Sequence, residues 1–497
     1  MSDIRPMFNV DFPDPDIIRV KDTYYMLCTT MFYFPGCEIL SSKDLVNWKH
    51  AAYVYNSLEG TDNQRLNDGN IYSAGMWAAS LRWYNGTFYI CFVANDTQKT
   101  YLFRSSDING PWIKSEIEGF YHDNSLLFDD DGRVYIAYGN RYIYITELND
   151  DLTGPKVGGL HRLVVSDRLN NALGYEGTHI YKINGYYYLF FIHSVEGRWF
   201  RTEACYRSES LEGDFTGREV FCDDNGYRNA GIAQGAIVDT AEGNYYAILF
   251  QDRGGSGRIP YLIPMRWEDG WPVIGEDGRI SSDSLTIKLP EDSGLVGSDD
   301  FRRIYDEKSC YGFADKWQFN HEPDMMLIKR DISGGCYSVT TDRVCQTPVM
   351  AKNSLTQRMK EPECVATITV NAEKINIGDY AGLTALQYLY GFIGIRRDED
   401  GYSIIYMEKP DKDGEDIIHH IARTDNAKVS FRITASFGPD EDVAEFAYDC
   451  GDGFSIIEYK RDMPFMLEFF TGYRYALTYF STITSGGEAV FSEFIYD

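Results

Sequence analysis

Positive charge, proline and long apolar runs are all scarce in this chain of 497 residues. Its 47 Lys and Arg stand against 75 Asp and Glu, a net charge of −28. A field of that sign repels phosphates and anionic headgroups, so neither nucleic acid nor a membrane surface is an expected partner. No apolar run approaches the about 18–20 residues of a spanning helix. The opening Met1-Ser-Asp-Ile-Arg-Pro holds no apolar core of a secretion signal, from which a cytoplasmic protein is expected. The ten cysteines include no C-x-x-C pair and no metal-ligand spacing. Cys28 and Cys91 lie among apolar strand residues, and the set reads as small reduced hydrophobes. Only 16 prolines accompany 45 glycines, and aromatics reach 15% with 38 tyrosines. That balance suits many short strands joined by tight turns and speaks against a helical bundle.

The chain also repeats itself. Blocks starting at Asp14, Trp77, Asp123, Glu176 and Gln234 align without gaps. Their fifth position is aliphatic in all five (Ile18, Leu81, Leu127, Ile180, Val238), and their tenth is glycine in four (Gly86, Gly132, Gly185, Gly243), with Thr23 the exception. Four carry tyrosine at the thirteenth: Tyr89, Tyr135, Tyr188 and Tyr246. Strand, Gly-containing turn and aromatic strand make a hairpin. The spacings of 63, 46, 53 and 58 residues leave room for four strands per repeat, the size of a propeller blade. An all-β chain is therefore expected: a five-bladed propeller over 1–295, an acidic Gly- and Ser-rich linker within 272–300, and a β-sandwich over 301–497. In the last, alternating strands such as Cys364–Val370 and Val429–Thr434 lack the blade register.

Equivalent residues of successive blades form a ring, so the five block heads converge on one rim. Asp14, Asp123 and Glu176 then meet Trp77 and Gln234. Sheet propensity has no use for acids there. Grouped carboxylates with split pKa values are what acid–base chemistry on a glycosidic bond requires, and an indole suits stacking on a sugar face. A carboxylate ring also suits calcium, and that reading stays open at this point. The Asp129-Asp-Asp-Gly132 run resembles part of a calcium loop, but it falls on a hairpin turn and is read as solvated.

Four separated motifs carry a family likeness: Asp14-Pro-Asp-Ile, Tyr121-His-Asp-Asn-Ser-Leu-Leu-Phe-Asp-Asp-Asp-Gly132, Tyr175-Glu-Gly-Thr-His-Ile-Tyr and Met265-Arg-Trp-Glu-Asp-Gly-Trp-Pro-Val273. Together they resemble glycoside hydrolase family 43, five-bladed propeller enzymes acting mostly on xylose- and arabinose-containing polymers. Trp317–Asp324, Leu355–Arg358 and Gly378–Gln387 resemble the concanavalin-like sandwich that follows the propeller in β-xylosidases of that family. The resemblance implies an inverting mechanism with Asp14 as general base and Glu176 as general acid. Asp123 would raise the acid's pKa and orient it. It also implies Phe32 and Phe34 as aromatic walls of the sugar subsite and Arg258 as the arginine at the site's floor. Three departures stand out: Asp16 replaces the usual serine after the base, Trp77-Ala-Ala lacks the family's proline, and Gln234 stands where a histidine often neighbours an axial ion. Gln can ligate calcium but cannot titrate.

The expected function is an inverting exo-glycosidase that removes terminal α-L-arabinofuranosyl or β-D-xylosyl residues from hemicellulose-derived oligosaccharides. No cofactor is required, although a structural calcium is compatible. The alternatives are a non-catalytic carbohydrate-binding propeller, which predicts a degenerate acid set, and an endo-acting arabinanase. A sialidase would need clustered arginines and a tyrosine nucleophile, and no block head is either.

Overall fold

The computed structural model describes residues 6–167, 172–280 and 293–497. The first five residues, and with them most of the segment read for a secretion signal, lie outside the described residues, as does 281–292 of the expected linker.

The hairpins form where the repeat puts them. Asn85-Gly86 and Asn184-Gly185 both have positive φ at each position (47° and 82°, 50° and 83°), the left-handed pair a two-residue hairpin turn needs. In the first blade, where Thr23 stands at the glycine position, the positive φ falls on Lys21. Five antiparallel four-stranded sheets result, each with its strands in chain order. Their inner strands are Asp16–Val20, Met76–Tyr84, Ser125–Phe128, Glu176–Ile183 and Ala233–Asp239. Each packs on the next, and the fifth packs on the first, closing the ring. The axis is filled by Arg82, which donates to Asp16 Oδ2 (2.7 Å), Ser125 Oγ (2.5 Å) and the Leu126 carbonyl (2.7 Å). Asp16, buried and also accepting the Leu81 amide, thus ties the first blade to the second, and Arg82 carries the link to the third.

The second domain stacks an eight-stranded sheet on a seven-stranded one, from Gln318–Asn320 to Glu488–Tyr496. The join is woven rather than sequential. Tyr33–Phe34, on a loop of the first blade, forms the edge strand of the eight-stranded sheet, pairing Phe34 with Phe319 and Tyr33 with Asn320. Phe8, Val10 and Phe12 share one core with Trp317, Phe319 and Tyr475. Across the seam, Arg358 donates to Glu38 at 2.6 Å, both side chains fully buried.

The seam corrects one expectation. Phe32 and Phe34 are each 1% exposed and do not line the central cavity. Phe32 packs on Tyr72 and on His321 of the sandwich, and Phe34 is held in the sandwich sheet. Burial against the second domain takes both rings out of reach of a sugar. The Asp129 turn also differs from its reading. Asp130 and Asp131 are exposed, but Asp129 is buried, bonded to Lys182 and accepting from Tyr187 Oη at 2.6 Å. It latches the third blade to the fourth.

Candidate active site

Each block head is irregular backbone. Asp14, Asp123 and Gln234 have φ of 49°, 47° and 62°, the left-handed region that costs a residue with a Cβ. The register also shifts at Trp77, Glu176 and Gln234, as a bulge does when it re-aims a side chain. Gly177, at φ 65°, is in a conformation that strains any other residue, and a Cβ there would sit 2.5 Å from Gln234 Cδ and push that side chain aside. Irregular backbone rather than regular strand therefore presents the heads.

They meet in one cavity of about 400 Å³, lined by Asp14, Trp77, Asp123, Glu176, Gln234 and Arg258 among others. Two donors fix the Asp14 carboxylate: Thr29 Oγ1 at 2.6 Å and Arg258 Nη1 at 2.6 Å. Arg258 is held in turn by Asp252, 3.2 Å from its Nε, and Asp252 also pairs with the buried Arg201. On the other side, Asp123 Oδ2 accepts the Gly177 amide at 3.0 Å and His122 Nε2 lies 3.6 Å from Oδ1. Asn140 Nδ2 donates to Glu176 Oε2 at 2.6 Å. Loss of solvation and the adjacent Asp123 charge push the Glu176 carboxyl up to about 7, against the pull of His122, Arg258 and Arg201. It can therefore carry a proton near neutral pH. Gln234 contributes its fold more than its amide: its backbone N–H donates to the buried Glu203 at 2.7 Å.

The wall opposite the blades comes from the second domain. Leu467, Glu468 and Phe470 line the cavity, and Phe470 packs edge-on against Trp77 at 5.5 Å. Trp77 Nε1 is buried with no hydrogen-bond partner among the described residues. Tyr473, Tyr475, Tyr479 and Phe480 are all core; the ring that reaches the site is Phe470.

His122, Asn140, Trp199, Arg201 and Asp252 were not singled out in the sequence. Asn140, Trp199 and Arg258 all lie at or beside the turn between the second and third strands of a blade. Those turns fall 17, 23 and 24 residues beyond their block heads, so no fixed register finds them.

Among the described residues, the acids at the rim and at the Asp129 turn do not fit a calcium ion. Arg82 already places a cation on the axis, and the oxygens of Asp129 are taken by Lys182 and Tyr187. His122, Asp123 and Glu176 bring one ligand atom each within 4.8 Å of one another, but an imidazole with a carboxyl that holds its proton is a poor set for a hard oxygen-seeking cation.

Residues 4–272 match the family model described as Glycosyl hydrolases family 43, and 312–497 match the Beta xylosidase C-terminal Concanavalin A-like domain. A bifunctional GH43-CE protein of Bacteroides eggerthii has a solved structure that superposes with TM-score 0.92 at 35% identity, over 99% of this chain and 63% of that one. A beta-xylosidase of Formosa agariphila is 30% identical over 353 residues, 64% of this chain and 58% of the relative. A non-reducing end alpha-L-arabinofuranosidase of Bacteroides ovatus is 30% identical over 296 residues, 56% of this chain and 54% of the relative. The chain thus spans less than two thirds of the length of each of these three.

Proposed function

The chain belongs to glycosyl hydrolases family 43, and from that premise we propose that it is an inverting exo-glycosidase releasing terminal α-L-arabinofuranosyl or β-D-xylosyl residues from hemicellulose-derived oligosaccharides. Asp14 takes a proton from a water attacking the anomeric carbon. Glu176 gives its proton to the departing glycosidic oxygen, so one proton enters the protein as another leaves. Asp123 keeps that proton on Glu176 by disfavouring its ionisation. Arg258 and Thr29 orient Asp14, while Trp77, lining the cavity, offers its ring to the sugar.

The observation that carries this reading is the split environment of the two acids. Glu176 is raised to about 7 by burial and Asp123, whereas Asp14, in the same cavity, accepts from an arginine and a hydroxyl. Exo-action is favoured over an endo-arabinanase by Leu467, Glu468 and Phe470, which wall one side where an endo-enzyme needs an open groove. A carbohydrate-binding protein without turnover would have no use for a protonated carboxyl at that place. No cofactor enters the reaction as proposed. A reducing, cytoplasmic setting belongs to the proposal, since all ten cysteines are unpaired and four of them are partly exposed.

Paired assays on aryl α-L-arabinofuranoside and aryl β-D-xylopyranoside test the activity, with proton NMR of the first-formed sugar reporting the anomer. Turnover with an inverted product is expected. Binding without turnover of either series, or a retained anomer, overturns the proposal.

A further inference from the structure

Trp199 has no role in the chemistry so far, yet it lines the catalytic cavity with 47% of its surface exposed. Its turn is well built: the Val195 amide donates to the Phe200 carbonyl at 2.9 Å, and the Arg198 amide to the Val195 carbonyl at 3.2 Å. Phe200 is buried beneath, so the backbone presents the neighbouring indole outward. The other aromatics of the cavity, Trp77 and Phe470, are packed against each other. Among the described residues no ring packs on Trp199; its recorded neighbour is the Arg201 guanidinium, 5.6 Å from the ring centre. A large apolar face left open inside a cavity gains from burial only when a ligand arrives.

The side of the cavity on which it stands identifies that ligand. Trp199 belongs to the fourth blade, whose head is Glu176. A general acid faces the oxygen of the departing group, so whatever lies beyond that oxygen lies on the acid's side. The rest of that wall is Asn140, Arg141 and residues 172–174, none of which brings an aromatic ring.

We propose that Trp199 is the platform of the leaving-group subsite, stacking on the apolar face of a pyranosyl residue to which the cleaved pentose is attached. The proposal rests on the glycosidase reading above and adds the aglycone: a sugar ring, recognised by its face. Because stacking is present in both the ground state and the transition state, its loss raises KM and leaves kcat nearly unchanged.

The test compares Trp199→Ala and Trp199→Phe with the unaltered full-length protein on two substrates of the accepted pentosyl series. One is a xylo-oligosaccharide, linear or arabinosylated as the wild type requires. The other is the pentosyl fluoride, whose leaving group fills no subsite. Trp199→Ala should raise KM for the oligosaccharide about tenfold, the size of one aromatic contact, with kcat within about twofold. Hydrolysis of the fluoride should be unchanged, and Trp199→Phe should recover most of the loss. An unchanged oligosaccharide KM, or an equal loss on the fluoride, overturns the platform while the glycosidase reading stands. Failure of the wild type to hydrolyse either substrate overturns both.

Discussion

Phe470 of the sandwich lies with its ring centre 3.8 Å from the guanidinium carbon of Arg258, the residue whose Nη1 holds Asp14 of the propeller. The second domain therefore touches the cation that fixes the proposed base, besides walling the cavity itself.

Replacing either proposed catalytic acid removes its proton transfer; Arg258, which pairs with Asp14, keeps Asp252 as its second partner. Glu176→Gln and Asp14→Asn should each lower kcat by about 10²–10⁴-fold, with thermal unfolding close to that of the unaltered protein. Near wild-type turnover in Asp14→Asn would make the base assignment wrong. Glu176→Gln should lose least on activated aryl glycosides, whose leaving groups need little protonation.

Asp123→Asn should move the pH profile as well as the rate. Asp123 raises the Glu176 pKa by repelling its charged form; without that charge ionisation is easier and the pKa falls. Activity, lost in the unaltered protein as pH rises through about 7, should then be lost at lower pH. An alkaline limb that stays in place would show that burial alone sets the acid.

Phe470→Ala opens the wall while leaving the strands in place. Selectivity for chain ends should weaken, read as internal cleavage products from long oligosaccharides. A chain ending near Gly297 should be poorly soluble or inactive, because truncation removes the sheet that pairs with Tyr33–Phe34 and exposes the shared core. A soluble 1–297 fragment with unchanged turnover would mark the sandwich as a separable module.

The seam carries its own titration. Burial alone would raise the Glu38 carboxyl, but the Arg358 charge and His50 bring it down to about 2. A carboxyl depressed by folding stabilises above its unfolded value of 4.5 and loses that contribution as pH falls through 4.5 towards 2. Arg358→Met leaves Glu38 buried without its cation and should cost about 3–5 kcal/mol at neutral pH, measured by denaturant unfolding. In that variant acidification should no longer destabilise through Glu38, since protonation now relieves an unpaired charge.

The sequence by itself determined the blade count and the positions of the five heads, because a propeller hairpin is local: strand, turn and strand fall within a dozen residues, and Asn-Gly turns mark the register. It could also nominate Asp14, Asp123 and Glu176, since equivalent heads must share a rim. Only the tertiary structure decided which other side chains stand beside them. Asp14 and Arg258 are 244 residues apart in sequence, and no local pattern links Asp252 or Trp199 to either. The same limit explains Phe32 and Phe34. Their aromatic run fits a sugar wall as well as a core, and the choice was made by a sheet edge almost 300 residues later, at Phe319, that offered them backbone partners and burial. Periodicity states which residues seek cover; what covers them is settled when distant segments of the chain meet.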